Sequence, residues 1–301
     1  MIDTVKDSKN PVVALTQAIS LLRKQNGLVI KQKSGKKIAI YPAEFLNKKE
    51  QEKYPLSDSP LLIKLAKRAG LLPALSVLPI SSLTSGWENF SESELEKAIK
   101  QTGDGIFETA RAKLPLEGAE NSTIVSFREQ GEETIHLALI IGKAKNKTPL
   151  VRVHSSCLTG DLLGSLRCDC GDQLKLAIGA IKNEGYGVLL YLNQEGRGIG
   201  ITNKLRAYTL QEQGMDTYTS NHELGFENDE RDFTAAASML KAIGISKINL
   251  LTNNPHKVSG LKKYGITIGK RVPLIAKTNK HNHAYIKAKA NKAGHIIGEG
   301  E

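Results

Sequence analysis

The sequence predicts a mixed α/β protein built of α+β layers. A smaller α/β N-terminal domain spans residues 1–115, and a larger domain spans residues 120–301. Three observations carry this reading. From residue 120 onward, strand-length apolar runs alternate with amphipathic segments of helical length. The stretch KLPLEGAEN at 113–121 carries Pro and Gly and few apolar residues, which marks a boundary. The 301 residues are 40% hydrophobic and 24% charged, a globular composition long enough for two domains.

In the first part, PVVALTQAISLLRKQNG reads as a helix ending at Gly27, with Val13, Leu15, Ala18, Leu21 and Leu22 on roughly one face. LVIKQKSGKKIAIY reads as strand, Ser34-Gly35 turn and strand. SPLLIKLAKRAGLLPALSVLPI suggests a second helix broken by Gly70 and Pro73. SESELEKAIKQTG opens a third with serine. Beyond the boundary, STIVSFRE and IHLALIIGKA form a sheet hairpin, and LVRVHSS leads into Cys157. QLKLAIGAIKNEG, ITNKLRAYTLQEQG, DFTAAASMLKAIG and HKVSGLKKYG read as helices, with YGVLLYLNQ and KINLLTNN as strands.

Several function classes are set aside by composition. No run approaches the ~18 apolar residues of a membrane span, so no membrane partner is expected. MIDTVKDSKN lacks the apolar core of a signal peptide, and three clustered cysteines suit a reducing cytoplasm better than a disulfide framework. The net charge of +11 is uneven: residues 1–120 carry +4, residues 121–260 are neutral, and residues 261–301 carry +7 as a lysine-rich tail. A solvated basic surface explains such a tail. Aromatics are only 5%, too sparse for base stacking, so nucleic acid is not expected as a partner.

The cysteines are the chemical signal. Cys157, Cys168 and Cys170 are the three cysteines of the chain and fall within fourteen residues. Three thiolates fill three corners of a zinc tetrahedron and leave the fourth open, as in catalytic sites. Gly171, in the Cys-Asp-Cys-Gly turn, is expected to take a backbone conformation that other residues resist. His154 is a candidate fourth ligand by spacing. QEGRG at 194–198 joins a strand to a helix, where glycines allow close backbone approach and the helix N-terminus favours anions. NDERDF reads, from its residues alone, as an acid-rich helix start.

RVHSSCLTGDLLGSLRCDCGDQL, QEGRGIGITNKLRAY, LGFENDERDF and LLTNNPHKV, in that order and spacing, resemble GTP cyclohydrolase II over about 180 residues from residue 120. The resemblance implies opening of the guanine imidazole ring of GTP, with release of formate and pyrophosphate, as the first step of riboflavin synthesis. It implies that Cys157, Cys168 and Cys170 hold one Zn2+ per subunit, and that Mg2+ accompanies the triphosphate. It assigns Arg152, Val153, His154, Ser155, Ser156, Gln173, Glu195, Gly196, Arg197, Thr217, Thr252 and Lys257 to GTP contact. It makes Asp229 the general base, Arg231 the nucleophile or charge stabiliser at the α-phosphorus, and Tyr208 an active-site tyrosine. A homodimer is implied as well.

The chain departs from the family at one point. The family reads His-Ser-Glu-Cys where His154-Ser155-Ser156-Cys157 stands here, so a carboxylate beside the metal is replaced by a hydroxyl. The change keeps open a relative acting on another nucleobase or nucleotide, as in uracil catabolism. A non-catalytic zinc module that binds RNA is the alternative from another class. ALTQAISLLRKQNGLVI is faintly similar to the start of a dihydroxybutanone-phosphate synthase domain, but SGKKIAIYPAEF stands where that domain's acidic metal-binding run is expected. No synthase activity is therefore expected.

Overall fold

A computed structural model of the chain describes residues 11–80, 84–101, 105–129, 134–144, 147–276, 279 and 282. The rest of the basic tail lies outside the described residues. The chain forms two compact units. The first comprises Met1–Thr102, Gln130–Glu132 and Thr202–Asp229; the second comprises Gly103–Glu129, Glu133–Ile201 and Glu230–Glu301.

The first unit opens with α1 (Pro11–Arg23), whose Leu15, Ala18 and Leu22 are fully buried. The helix stops four residues before the expected Gly27, and the left-handed residue after it is Gln25, at φ 60°. Gly27 answers a different need: a Cβ there would collide with the Trp87 indole, which stacks on Tyr41 at 5.9 Å between centroids. β1 (Leu28–Lys31) and β2 (Lys37–Pro42) form the expected antiparallel hairpin, with Gly35 at φ 82° in its turn. α2 (Lys48–Lys53) starts on an Asn47–Glu50 capping box, and α3 (Pro60–Arg68) starts on proline.

After Gly70 and Pro73 the chain does not resume a helix. Leu75–Leu78 is β3, antiparallel to β2. A four-residue apolar run bounded by breakers suits a buried strand as well as a helix, and the β2 edge decides it. β4 (Asn89–Ser91) then pairs parallel to β1, and α4 (Glu92–Gln101) follows. The sheet order is β3-β2-β1-β4.

Then come β5 (Ile106–Lys113), β6 (Ser122–Glu129), β7 (Ile135–Gly142), β8 (Leu150–Ser155), α5 (Cys170–Glu184), β9 (Tyr186–Leu192), α6 (Gly200–Glu212), α7 (Thr217–Glu223), α8 (Thr234–Ala242), β10 (Lys247–Leu251), α9 (Pro255–Lys263) and β11 (Thr267–Val272). Apart from α7 and α6 beyond Ile201, these belong to the second unit. β5, α7 and β11 had no counterpart in the sequence reading. The stretch at 113–121 is the connection of the β5–β6 hairpin, where Lys113 pairs with Thr123. Hairpin turns and linkers share a Pro/Gly composition, so sequence alone cannot separate them.

The seven strands of the second unit lie in the order β11-β10-β8-β9-β7-β6-β5. β11, β10, β8 and β9 run parallel, while β9, β7, β6 and β5 run antiparallel. Successive residues of a strand face opposite sides. Val151, Val153, Val188, Leu190 and Leu192 pack with α8 and α9 residues on one face. Leu150 and Leu189 pack with Ala177 and Ile181 of α5 on the other. A parallel sheet covered on both faces leaves its strand ends as the place for ligands. The chain leaves β8 for β9 on one side and later returns to β10 on the other, so a switch in direction lies at the carboxyl end of β8. Among the described residues, no helix is long and apolar enough to cross a membrane.

Candidate metal centre and active site

The three cysteines come together in the second unit, at that carboxyl end. Cys157 follows β8, a short wide turn spans Leu158–Leu162, and Cys170 begins α5. Their sulfurs lie within 4.8 Å of one another, and no other such group of His, Cys, Asp or Glu occurs among the described residues. Cys157 and Cys168 Sγ are 3.7 Å apart, too far for a disulfide. A tetrahedron with Zn–S bonds of about 2.3 Å has edges of about 3.8 Å, so the spacing fits zinc.

Two glycines make this approach possible. A Cβ on Gly160 would lie 2.8 Å from Cys168 Sγ and 3.2 Å from Cys157 Sγ. A Cβ on Gly171 would run into the Gly160 carbonyl. Gly171 sits inside α5 and is absent from the residues with positive φ, so its need is close packing rather than the unusual backbone expected from sequence. The sulfur contact with Cys157 raises the Cys168 pKa, and burial adds to it. A bound dication reverses that balance and favours the thiolate.

His154 is not part of the sulfur cluster. Its Nε2 lies 3.1 Å from both carboxylate oxygens of Asp161, and its ring stacks on Tyr191 at 5.6 Å. Tyr191 donates its hydroxyl to Asp161 at 2.9 Å, and the Cys157 backbone N–H donates to the same carboxylate at 2.9 Å. Burial pushes the His154 pKa down despite Asp161, so the ring is neutral and its Nε2–H is the donor. Burial also pushes the Tyr191 phenol up, which keeps it protonated. Asp161 was not singled out from sequence. The available signal was its place as the one acid between Cys157 and Cys168.

Cations gather beside this cluster. Arg152 is buried on β8, donating to the Leu251 carbonyl at 3.0 Å and to Gln173 Oε1 at 2.5 Å. Gln173 in turn donates to Asp169 at 2.6 Å. Burial pulls the Arg152 pKa down to about 10, with Cys170 and Asp169 opposing and Arg231 reinforcing. Lys257, buried on α9, donates to the Val153 carbonyl at 2.7 Å. Lys257 and Arg231 each lie 5.9 Å from the Phe233 ring centre. Thr252 is buried at the end of β10, where its hydroxyl accepts the Asn254 N–H at 3.0 Å and so shapes the start of α9. Arg152 Nε, His154 Nδ1, Ser155 Oγ and Ser156 Oγ are buried without a protein partner, a concentration of polar atoms suited to a ligand.

The QEGRG turn closes this edge after β9. Gly196, Arg197 and Gly198 are all left-handed, at φ 62°, 62° and 96°. Arg197 is a non-glycine residue in that region, a strain that surrounding contacts must hold. The Glu230 N–H donates to the Arg197 carbonyl at 3.0 Å, and a Cβ on Gly198 would meet Glu230 at 3.1 Å. Glu195 is buried and accepts the Leu158 N–H at 2.6 Å and the Gly196 N–H at 3.0 Å, tying this turn to the cysteine loop. His136 is buried behind it and accepts the Asn193 N–H at 3.0 Å. The remaining assigned residues fall in the first unit: Tyr208 on α6, Thr217 at the start of α7, and Asp229 exposed after it.

A GTP cyclohydrolase-2 of Azospirillum brasilense is 45% identical over 253 residues, covering 81% of this chain and 66% of that protein's length. One of Citrobacter koseri is 52% identical over 191 residues, 63% of this chain and 97% of that protein. One of Escherichia coli is 52% identical over 189 residues, 62% of this chain and 96% of that protein. A solved two-domain 3,4-dihydroxy-2-butanone 4-phosphate synthase from A. baumannii covers 82% of this chain and 96% of its own, at 14% identity and a TM-score of 0.32, too remote to carry an argument. The sequence model of GTP cyclohydrolase II matches residues 108–273, more than half of the chain. With this match and relatives covered almost end to end, the chain belongs to the GTP cyclohydrolase II family.

Proposed function

We propose that this enzyme opens the imidazole ring of GTP by hydrolysis, releasing formate and pyrophosphate and leaving 2,5-diamino-6-(5-phosphoribosylamino)pyrimidin-4-one, in the first step of riboflavin biosynthesis. The observation that supports it best is the juxtaposition of three thiols at zinc spacing with Arg152, Arg231 and Lys257 at the switch point of a parallel sheet. One part suits a water-activating metal and the other a polyphosphate.

Cys157, Cys168 and Cys170 would hold one Zn2+ per subunit. Bound there, zinc would supply a water activated at neutral pH for the hydrolytic step. Glu195, held by the Leu158 and Gly196 N–H groups, is a carboxylate of the kind that accepts from guanine N1–H and the 2-amino group. Arg231 and Lys257 neutralise the phosphates, with Mg2+ accompanying the triphosphate. Arg152, fixed by Gln173 and Leu251, holds β8 and α5 in register, so that Val153, His154, Ser155 and Ser156 present a rigid edge. Gly196 and Arg197 bring the QEGRG backbone to the nucleotide. Thr252 shapes the phosphate side.

Asp229 would take up a proton, and Tyr208 and Thr217 would contact the substrate, as the family resemblance implies. An arginine resists deprotonation, which favours charge stabilisation over nucleophilic attack for Arg231. A cytoplasmic homodimer completes the reading. The test is to incubate zinc-loaded protein with GTP and Mg2+. Formate and the diaminopyrimidine ultraviolet change should appear in equal amounts, and pyrophosphate release without formate would refute ring opening.

A further inference from the structure

The first hundred residues carry no role in the reading above, yet they are bonded to a helix that does. Within the first unit, the Glu44 side chain is 7% exposed and accepts from two directions. Oε1 accepts the Leu72 N–H at 2.9 Å, and Oε2 accepts from the Arg206 guanidinium on α6. Arg206 also donates to Asn203 Oδ1 at 2.8 Å, and Asn203, fully buried, donates to the Gly70 carbonyl at 3.3 Å. These bonds close a ring through Glu44, the turn after α3 and α6. The same turn reaches the end of α7: Lys67 lies 5.7 Å from the Phe226 ring centre, and a Cβ on Gly225 would meet Pro73 at 2.9 Å.

We infer that Glu44 is a positioning residue for turnover, through which the N-terminal segment fixes the setting of α6 and hence of Tyr208. Residues two apart on a helix diverge by roughly 160° around its axis. Glu44 therefore holds α6 by Arg206 on one flank while Tyr208 leaves from the other. Tyr208 is steadied from its own helix by Lys204, 5.8 Å from its ring centre. A hydroxyl that must meet substrate within a few tenths of an ångström depends on the rotation and height of its helix.

The Citrobacter koseri relative is matched along 97% of its length by 191 residues. Residue 44 lies farther than that before the end of the family match at residue 273. A match of that length cannot span both residue 44 and the end of the family region. Glu44 is the buried partner while Arg206 is 37% exposed, so removing Glu44 leaves the Leu72 N–H without its acceptor and releases Arg206 to solvent.

The inference rests on the proposed role of Tyr208, and the experiment separates the two. Full-length, zinc-loaded Glu44→Ala, Glu44→Gln, Tyr208→Phe and Glu44→Ala/Tyr208→Phe proteins are compared for formate release, for amide hydrogen exchange of residues 203–212, and for Trp87 emission as a check that the N-terminal sheet is folded. Glu44→Ala should speed α6 exchange by about 10-fold and lower kcat by about 10-fold, with Glu44→Gln between it and wild type. In the Tyr208→Phe background, the added Glu44→Ala change should cost nothing further in rate. Equal, independent losses in both backgrounds would overturn positioning through Tyr208. Unchanged α6 exchange in Glu44→Ala would overturn it whatever the rates. A silent Tyr208→Phe would instead refute the role of Tyr208, leaving the α6 exchange to judge the Glu44 contact alone.

Discussion

Residues 11–101 and the second unit both have well-packed apolar cores, but they differ in what else they bury. Among the described residues between 11 and 99, the polar side chains buried are those of Ser76, Thr84 and Glu44, with Glu44 paired to Arg206, around a core of Leu15, Leu22, Ile30, Ile40, Leu62 and Leu65. The second unit buries Arg152, Asp169, Glu195, Lys257, His136 and His154 around its own apolar clusters. Burying such groups costs stability unless each is paired, and evolution tolerates that cost where chemistry needs a dry, fixed charge. The difference teaches where activity resides. The N-terminal sheet obeys folding rules almost throughout, whereas the strand ends of the larger sheet break them in one place.

The sharpest way to test that separation is Cys168→Ser. Loss of one of three thiolates should remove stoichiometric zinc and drop formate release by more than about 1,000-fold, while Trp87 emission and N-terminal melting stay unchanged. Metal-free protein that still released formate would dismantle the site. Asp161→Ala should come next. It removes the acceptor shared by His154, Tyr191 and the Cys157 N–H, and the expected loss is ~10–100-fold in zinc affinity or rate. Asp161→Asn keeps one acceptor for the Cys157 N–H and should retain more metal than alanine. Zinc titration with a competing chelator ranks the three proteins, and equal retention would reduce Asp161 to ordinary packing.

Lys257→Ala should act more gently, raising KM for GTP about 10-fold with kcat nearly unchanged, because a cation bound to the polyphosphate contributes alike to ground and transition states. A fall in kcat at constant KM would move Lys257 from binding to chemistry.

Much of this was legible before any coordinates. The cysteine cluster and the QEGRG turn are local patterns, and local patterns survive translation into sequence. Most strands and helices after residue 120, α7 and β11 excepted, were legible through their periodicity. What stayed hidden was set by neighbours distant in the chain. LSVL at 75–78 became a strand because β2 offered an edge. KLPLEGAEN proved to be a hairpin connection within the larger sheet, since turn composition says nothing of what it joins. Asp161 looked like one acid among many until His154, Tyr191 and Cys157 converged on it. Glu44 and Arg206, 162 residues apart, carry no mutual signal at all in a single sequence.

The smallest expected effect on activity, and the cleanest check on the N-terminal side, is Gly27→Ala. Its φ is not in the left-handed region, so alanine meets no backbone penalty there. The cost comes from the Trp87 indole, which lies against the glycine and is backed by Tyr41 at 24° between ring planes. An added methyl must push that stack aside, and overpacking of this kind typically costs about 1–3 kcal/mol. Trp87 is the single tryptophan of the chain, so its emission reports the change directly. The melting of the N-terminal sheet should shift downward, while kcat and KM, measured well below that transition, stay at wild-type values because the ring through Glu44 and α6 does not include Gly27. A lowered kcat without lowered stability would mean that strain at Gly27 travels to α6. The apolar sheet would then be part of the catalytic apparatus, not merely the support for one contact.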